Sequence, residues 1–286
     1  MKLRIKRRRP NRSLVGDVTN IILLALFGIF MALPLVYAVS NAFKPLDELF
    51  LFPPQFFVRN PTLDNFKDLV LLMANSWVPF SRYAFNTFFI TAVGTTGHVI
   101  IASMAAYVLE KHEFPGRKGF FKLVVLALMF APAVTAIPNY LTMARLNWIN
   151  TYLSVIVPAF ALPLGLFLMK QFMVTIPDSL LESARMDGAS EVRVFWQIAM
   201  PVVKPGWLTL VIFSFQSLWN TTGGVFIYSE KLKTLPFALN QILLGGFARA
   251  GVGAAVILMM MIVPIIMFMV TQSSIIETMS TSGLKE

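Results

Sequence analysis

Long apolar runs separated by polar segments dominate this chain. Each run holds roughly twenty residues, which is the length that an α-helix needs to cross the hydrocarbon core of a bilayer. The pattern predicts an all-α integral membrane protein whose membrane domain covers residues 18–274. Its six transmembrane helices are expected at about residues 18–40, 84–109, 123–144, 151–169, 206–228 and 251–271.

One polar insert, residues 177–205, lies between the fourth and fifth apolar runs. Ser179 and Glu182 have the spacing of a capping box, in which each side chain accepts a hydrogen bond from a backbone N–H near the start of a helix. Gly188 is a residue type that ends helices, and Ser190 is a good N-cap for the next helix. The insert is therefore predicted to form two short amphipathic helices that are hinged at Gly188. Such a pair suits the membrane surface and the docking of a soluble partner, although it could also be a charged loop with no partner.

The composition agrees with a membrane protein. Hydrophobic residues make up 57% of the 286 and charged residues only 13%, against roughly 25% charged in soluble domains. The formal net charge is +10, and seven of the 24 basic residues fall within residues 1–17. A basic tail beside a membrane span is a topology signal and a contact for lipid headgroups, which we favour over nucleic-acid binding. The chain has no cysteine.

The distribution of lysine and arginine predicts the orientation. Sixteen fall on the side of the N-terminus and eight on the other side. Positive charge is enriched in cytoplasmic loops, so both termini, the insert and a short tail at residues 275–286 are expected in the cytoplasm. The expected location is the cytoplasmic membrane of a bacterium or archaeon. The aromatic connection at residues 41–82 is then expected to fold as a cap on the outer face.

A few polar side chains lie within the predicted spans. Polar groups that face lipid are costly, so they line a pathway or bond a neighbouring helix. For His98, we favour a bond to another helix over metal or proton chemistry. Gln216 and Asn220 are four residues apart, beside aromatic rings of the kind that bind sugars. The candidates for a substrate path are Asn86, Asn139, Gln216 and Asn220.

The insert resembles the EAA loop of permeases from ATP-binding-cassette (ABC) importers, and the chain is most similar to the MalG-like carbohydrate branch. The resemblance is carried by Glu182, Ser183, Ala184, Asp187, Gly188, Ala189, Phe195 and Pro201. Ser183 departs from the alanine that is usual in the family, but serine is nearly as small. The resemblance implies that these residues form a cytoplasmic coupling helix pair that docks to an ATPase. Glu182 would cap the first helix, Ala184 and Ala189 would allow close approach, and Phe195 would anchor the second helix.

The resemblance also implies partners. They are a second homologous permease subunit, two ATP-binding subunits, an extracellular or periplasmic solute-binding protein, and a carbohydrate substrate. ATP and magnesium would bind to the partner ATPase subunits, and this chain would hold no cofactor. The loop that contains Gly223 and Gly224 is expected to touch the binding protein, although a plain surface loop explains the same residues.

Other classes of function leave weaker signals. The chain has neither the paired-histidine motif of zinc proteases nor the serine elbow of hydrolases, and it lacks the glycine-rich phosphate loop of ATPases. We therefore expect a transport subunit that is not itself an enzyme. An ion-coupled secondary transporter is the main alternative. It would need acidic residues inside the membrane, whereas the fourteen acids lie at span ends or in loops.

Overall fold

The structure is a computed structural model that describes residues 14–282. These residues form helices and connecting loops, with no strand among them. The predicted basic tail falls outside the described residues up to residue 13. In chain order the α-helices are α1 (Leu14–Phe43), α2 (Leu46–Leu49), α3 (Asp64–Ala74), α4 (Phe80–Lys111), α5 (Arg117–Ala127), α6 (Pro132–Arg145), α7 (Leu153–Phe160), α8 (Pro163–Met173), α9 (Asp178–Met186), α10 (Glu191–Arg193), α11 (Met200–Val202), α12 (Lys204–Trp219), α13 (Leu235–Leu243) and α14 (Ala250–Ser282).

Four helical segments in the described part of the chain are long and apolar enough to cross a membrane. They are Gly16–Phe43, Phe80–Lys111, Leu153–Met173 and Ala250–Gln272, and they correspond to the first, second, fourth and sixth predicted spans. A fifth span is present if Glu191–Val202 and Lys204–Trp219, which meet at 81°, are counted together. The all-helical membrane fold is thus confirmed, with four or five spans identified. The number six stays a prediction.

The third predicted span is not a continuous helix. The helix is interrupted within residues 123–144, because α5 ends at Ala127 and α6 begins at Pro132, and the third span stays a prediction. Ala131 has the extended backbone (φ −67°, ψ 143°) that a following proline favours. Pro132 also has no N–H to donate to the preceding turn. Each piece is therefore shorter than a membrane crossing.

The fifth run also forms a shorter helix than predicted. Helix α12 ends at Trp219, not at residue 228. Gly223 and Gly224 follow with positive φ angles of 77° and 50°, so the backbone there turns instead of continuing the helix. The apolar residues after Trp219 belong to the loop, and hydropathy alone does not separate them from the span.

The chain divides into two compact units, one of which contains the described residues up to Leu69 together with Gly246–Leu258. In this unit the first part of the predicted cap, residues 41–69, is folded around Asn65. The Asn65 amide donates to the carbonyl oxygens of Ala42 (3.0 Å) and Lys44 (2.8 Å). The Lys44 ammonium is itself buried, donates to the Asn41 side chain at 2.8 Å and lies over the Tyr37 ring.

The other unit contains Val70–Gly245 and α14 from Met259 onward. Helix α4 is its central element and packs against α7, α8, α12 and α13. The contact with α8 is close because of Gly165, where a β-carbon added to the glycine would clash with His98 Nε2. His98 Nδ1 lies 2.7 Å from the Ser214 hydroxyl of α12. The predicted helix-bonding role of His98 is therefore confirmed.

Candidate functional site

The polar insert forms the predicted helix pair, with the turn at Gly188. Helix α9 ends at Met186, and Gly188 has φ +80°. The Gly188 N–H donates to the Arg185 carbonyl (3.0 Å) and the Ala189 N–H to the Ala184 carbonyl (3.0 Å). These two bonds make a Schellman motif, which satisfies the last carbonyls of the helix. Only glycine adopts this backbone without strain.

The start of the first helix differs from the prediction. Pro177 is the N-cap, and no side chain caps the helix. The predicted capping box between Ser179 and Glu182 is wrong, because Pro177 fixes an extended entry and the helix begins at Asp178. Glu182 then lies in the second turn, exposed to solvent and too far along to cap. The Ser183 hydroxyl donates back to the Ser179 carbonyl (2.8 Å).

The second helix begins as predicted and continues into a wider turn. The Ser190 side chain accepts the Arg193 N–H (3.4 Å) and caps α10. The chain then forms a π-helix over Val194–Ala199 and continues into α11, which contains the exposed Pro201. π-Turns are rare and are frequent at functional sites.

A side-chain hydrogen bond bridges the bend that follows. Glu191–Val202 and Lys204–Trp219 meet at 81° across Val203, which is buried. The Trp207 indole N–H donates to the Met200 carbonyl on the other arm (3.1 Å). This bond joins the two arms, so the second helix of the insert and α12 are connected both by the chain and by a side-chain contact.

Both helices of the insert are attached to the end of α4. The Lys111 ammonium donates to the Ile176 carbonyl (2.6 Å) and to the Asp178 carboxylate (2.7 Å). Tyr107 donates its hydroxyl to Glu191 (3.2 Å) and packs edge-on against Phe195, with 5.4 Å between ring centroids. Sequence reasoning placed Phe195 as an anchor but missed Tyr107 and Lys111. The one available signal was their position at the end of a span.

The insert has a packed side and an exposed side. Leu181, Val194 and Phe195 are buried in one core cluster with residues of α4, α8 and α12. Ala184 and Ala189 pack against this cluster from its edge, so their small size allows close approach within the chain itself. On the other side, Glu182, Ser183, Asp187 and Gly188 are exposed. Two apolar side chains accompany them, Met186 at 88% exposure and Val192 at 68%.

Two carboxylates on the insert have lowered pKa values. The Arg185 guanidinium donates to Glu191 (2.7 Å) and holds the pKa of that carboxyl below its ordinary value. The Lys111 hydrogen bond lowers the pKa of Asp178 in the same way. A carboxyl with a depressed pKa in the folded state stabilises the fold above its ordinary pKa, and that contribution is lost as the pH falls through the depressed value.

We expect the insert to loosen in acid. Amide hydrogen exchange of residues 178–193, corrected for intrinsic rates, should be constant from pH 7 to about 5 and should rise below about pH 4, the ordinary range of these carboxyls. Glu191→Gln should exchange faster at neutral pH and show a flatter acid dependence, because it lacks the titrating group. Equal protection of the unmodified insert at pH 6 and pH 3 would contradict the assignment of these contacts.

The residues predicted to line a path occupy three different environments. Asn86 is fully buried, and its amide donates to the carbonyls of Lys231 (2.9 Å) and Lys233 (2.7 Å). Its side-chain oxygen accepts the Tyr152 hydroxyl (2.7 Å). Asn86 therefore holds the loop before α13 in place, and its pathway role stays a prediction.

Gln216, Asn220 and Asn139 are exposed. Gln216 lies in the last turn of α12 and Asn220 is the C-cap that follows this helix, and the Asn220 side-chain amide donates to the Gln216 backbone carbonyl (2.8 Å). Asn139 lies on α6, apart from the other two in the chain. Exposure on a membrane protein is compatible with a path or a subunit interface, so the role of these three side chains stays a prediction.

The loop with the two adjacent glycines is anchored at both ends. Asn150 accepts the Ser229 N–H (2.8 Å), and the Thr234 hydroxyl donates to the Thr221 carbonyl (2.6 Å). Between these points Gly223 is buried against Ile227, whereas Gly224 is exposed with open space around it. Gly224 is the better placed of the two to touch another protein.

The described residues contain no cluster of His, Asp and Glu that could hold a metal ion.

Comparison with known protein families identifies the class of protein. The family described as "Binding-protein-dependent transport system inner membrane component" matches residues 71–278. The chain belongs to this family. It is therefore a multi-pass membrane component of a binding-protein-dependent transport system, a permease subunit and not an enzyme.

Individual proteins are similar to this chain over most of its length. Protein LplC of Bacillus subtilis is 35% identical over 211 residues, which cover 72% of this chain and 68% of LplC. The arabinooligosaccharides transport system permease protein AraQ of Halalkalibacterium halodurans is 28% identical over 260 residues, covering 88% of this chain and 90% of AraQ.

Solved structures share the fold. A chain from the crystal structure of a bacterial ABC transporter involved in the import of the acidic polysaccharide alginate superposes with a TM-score of 0.76. It is 22% identical, and the match covers 93% of this chain and 99% of that chain. At this identity the likeness shows that the two chains share a fold, and the substrate has to be argued separately.

Proposed function

We propose that this chain is one permease subunit of an ATP-driven ABC importer that moves a carbohydrate across the cytoplasmic membrane. A solute-binding protein delivers the carbohydrate, a second homologous permease completes the pathway, and two ATP-binding subunits drive the cycle. Six spans with both termini in the cytoplasm complete the topology. The family, the substrate in the name of AraQ and the polysaccharide imported by the alginate transporter support the class of substrate.

One observation carries the proposal. The insert has a packed side attached to the spans and an exposed side with charged and apolar groups, in a chain that has no phosphate loop of its own. Burial of the apolar residues in the core cluster explains why the packed side of the insert is attached to the spans. Exposed large apolar residues beside polar groups are typical of a protein interface. We assign the exposed side to the ATPase, where ATP and magnesium are bound by the partner.

The contacts give the mechanism of coupling. Closure of the two ATPases moves the helix pair, and the Lys111, Tyr107 and Phe195 contacts carry that movement to α4. The Trp207 bond carries it to α12. The spans then move as near-rigid bodies between two arrangements, as in other interfaces that rotate or shear. No cofactor in this chain takes part.

The alternative of an ion-coupled transporter lacks support in the described residues. Two acidic groups of the insert, Glu191 and Asp178, are paired with Arg185 of the insert and with Lys111 at the very end of α4. Glu110, near the end of α4, is paired with Lys170 (2.6 Å). None of these three carboxylates lies unpaired within the apolar part of a span, where ion coupling would require it.

The two mechanisms differ in their energy source. Membrane vesicles that contain the importer should take up labelled oligosaccharide when ATP is supplied together with the binding protein. Collapse of the proton and sodium gradients with ionophores should leave this uptake unchanged. Uptake that needs no ATP and is abolished by the ionophores would overturn the proposal. A screen of neutral and acidic oligosaccharides in the same vesicles identifies the substrate.

A further inference from the structure

Two adjoining clefts lie at the turn between α4 and α5. The first has a volume of about 500 Å³ and is lined by residues 113–119. The second has a volume of about 600 Å³ and extends along α4 from Leu109 to Met104. Phe114, Pro115 and Gly116 line both clefts, so the two form one continuous depression with a polar end and an apolar end.

The polar end carries positive charge. Arg117 and Lys118 line it, against a single carboxylate from Glu113. Arg117 donates to the His112 carbonyl (3.1 Å), which fixes its position, and among the described side chains of residues 16–272 it has no ion-pair partner. Lys118 is exposed, and it also has no ion pair with a described residue. Helix α5 begins at Arg117, so the positive end of its dipole adds to the same field.

The apolar end faces outward from α4. Met104 and Val108 are one turn apart on this helix, with exposures of 50% and 46%, and Phe120 of α5 lines the far side with 52% exposure. The turn connects a span of 32 residues to the next apolar run. The polar end therefore lies at the membrane surface, and the apolar end runs along the helix toward the hydrocarbon region.

We propose that this depression is a binding site for one anionic phospholipid. The headgroup phosphate lies against Arg117 and Lys118, and an acyl chain lies along Met104, Val108 and Phe120. Basic pockets beside membrane helices attract anionic headgroups, and the charge and the apolar groove both match the two parts of such a lipid. Lys111, which attaches the insert to α4, is six residues from Arg117, so the lipid site and the attachment lie at the two ends of the same turn between α4 and α5.

The test uses the full-length chain in detergent, with bound lipid counted by native mass spectrometry as phosphatidylglycerol or phosphatidylcholine is added. The unmodified chain should retain one phosphatidylglycerol in preference to phosphatidylcholine. Arg117→Gln with Lys118→Gln should weaken this binding by about fivefold for each neutralised charge. Lys118→Arg should bind normally. Lys204→Gln, a matched loss of one exposed lysine outside the clefts, should also bind normally.

A second variant tests the apolar end without changing charge. Ala105 lines the second cleft, and Ala105→Phe should fill the groove and reduce phosphatidylglycerol retention. Thermal melting and size-exclusion profiles establish that each variant is folded. Soluble glycerol phosphate should not compete, because it lacks the acyl chain.

Three results of the lipid-binding measurements would overturn the proposal. They are equal retention of the two lipids, unchanged retention by the Arg117/Lys118 double variant, and competition by glycerol phosphate at matched concentration. Because the chain has no cysteine, Gly119→Cys, which lies in the same cleft and keeps both basic side chains, allows a labelling experiment. Protection of this cysteine by a co-purified protein subunit in place of lipid would assign the depression to that subunit and would also overturn the proposal.

Discussion

Gly188→Asp should abolish most ATP-driven uptake while leaving the protein inserted in the membrane. The turn requires φ +80°, and an aspartate there costs about 1–2 kcal/mol. Apart from the two neighbouring residues, no atom lies within 4 Å of a β-carbon placed on Gly188, so the side chain begins in open space and not in the core. The carboxylate instead projects from the exposed side of the insert beside Asp187, where the ATPase is proposed to bind. We expect uptake to fall by about tenfold or more, which corresponds to ~1.4 kcal/mol of lost coupling.

Two controls separate backbone strain from lost docking. Gly188→Ala has the same strain without the charge and should retain more uptake. Gly246→Asp introduces the same residue at another open glycine with a positive φ of 63°, away from the insert in the chain, and should leave uptake near normal. Vesicle uptake, ATP hydrolysis by the purified complex and the amount of chain in the membrane are measured for each. Normal uptake by Gly188→Asp would count against the coupling role of the insert.

Phe195→Ala should detach the second helix of the insert from α4. The ring is 6% exposed and lies against Tyr107 and Trp196. Truncation of a buried phenylalanine to alanine costs ~3–5 kcal/mol through lost burial and the cavity that remains. We expect faster hydrogen exchange over Glu191–Val202 and a strong loss of uptake for each ATP hydrolysed.

Matched variants locate the effect of Phe195. Phe195→Leu keeps most of the buried volume and should retain most of the coupling. Tyr107→Phe keeps the aromatic contact and removes only the hydroxyl bond to Glu191, so it should have a smaller effect than Phe195→Ala. If Phe195→Ala transports normally while Tyr107→Phe fails, the polar contact and not the ring packing connects the insert to α4.

Sequence reasoning located the features that depend on local chemistry. Four apolar runs became spanning helices because length and hydropathy are properties of one segment. Gly188 and Ser190 were assigned correctly because a Schellman turn and an N-cap involve only a few neighbouring residues. The capping box failed for a local reason as well, since Pro177 takes the N-cap position before Ser179 can.

Long-range contacts could not be read from the sequence. Tyr107 and Glu191 are 84 residues apart, and Lys111 and Asp178 are 67 apart, so no periodicity joins them. The break before Pro132 also escaped the hydropathy pattern. The apolar residues on both sides of the break look like one run, although the proline prevents one helix. Similarly, Asn86 was recognised as a polar residue in a span, but its partners on a distant loop were not.

The near-perpendicular bend at Val203 determines what kind of motion reaches the membrane. A push along the first arm cannot slide α12 along its own axis, because the arms meet at 81°. With the indole of Trp207 bridging the corner, the push instead swings α12 about that corner. Helix α12 has 16 residues and is therefore ~24 Å long. A swing of only ~5° displaces its far end by ~2 Å, about the size of a methyl group, given that length. Under the proposed docking of the insert to the ATPase, the corner acts as a lever that enlarges a small rearrangement of the insert into a sideways displacement at the far end of α12.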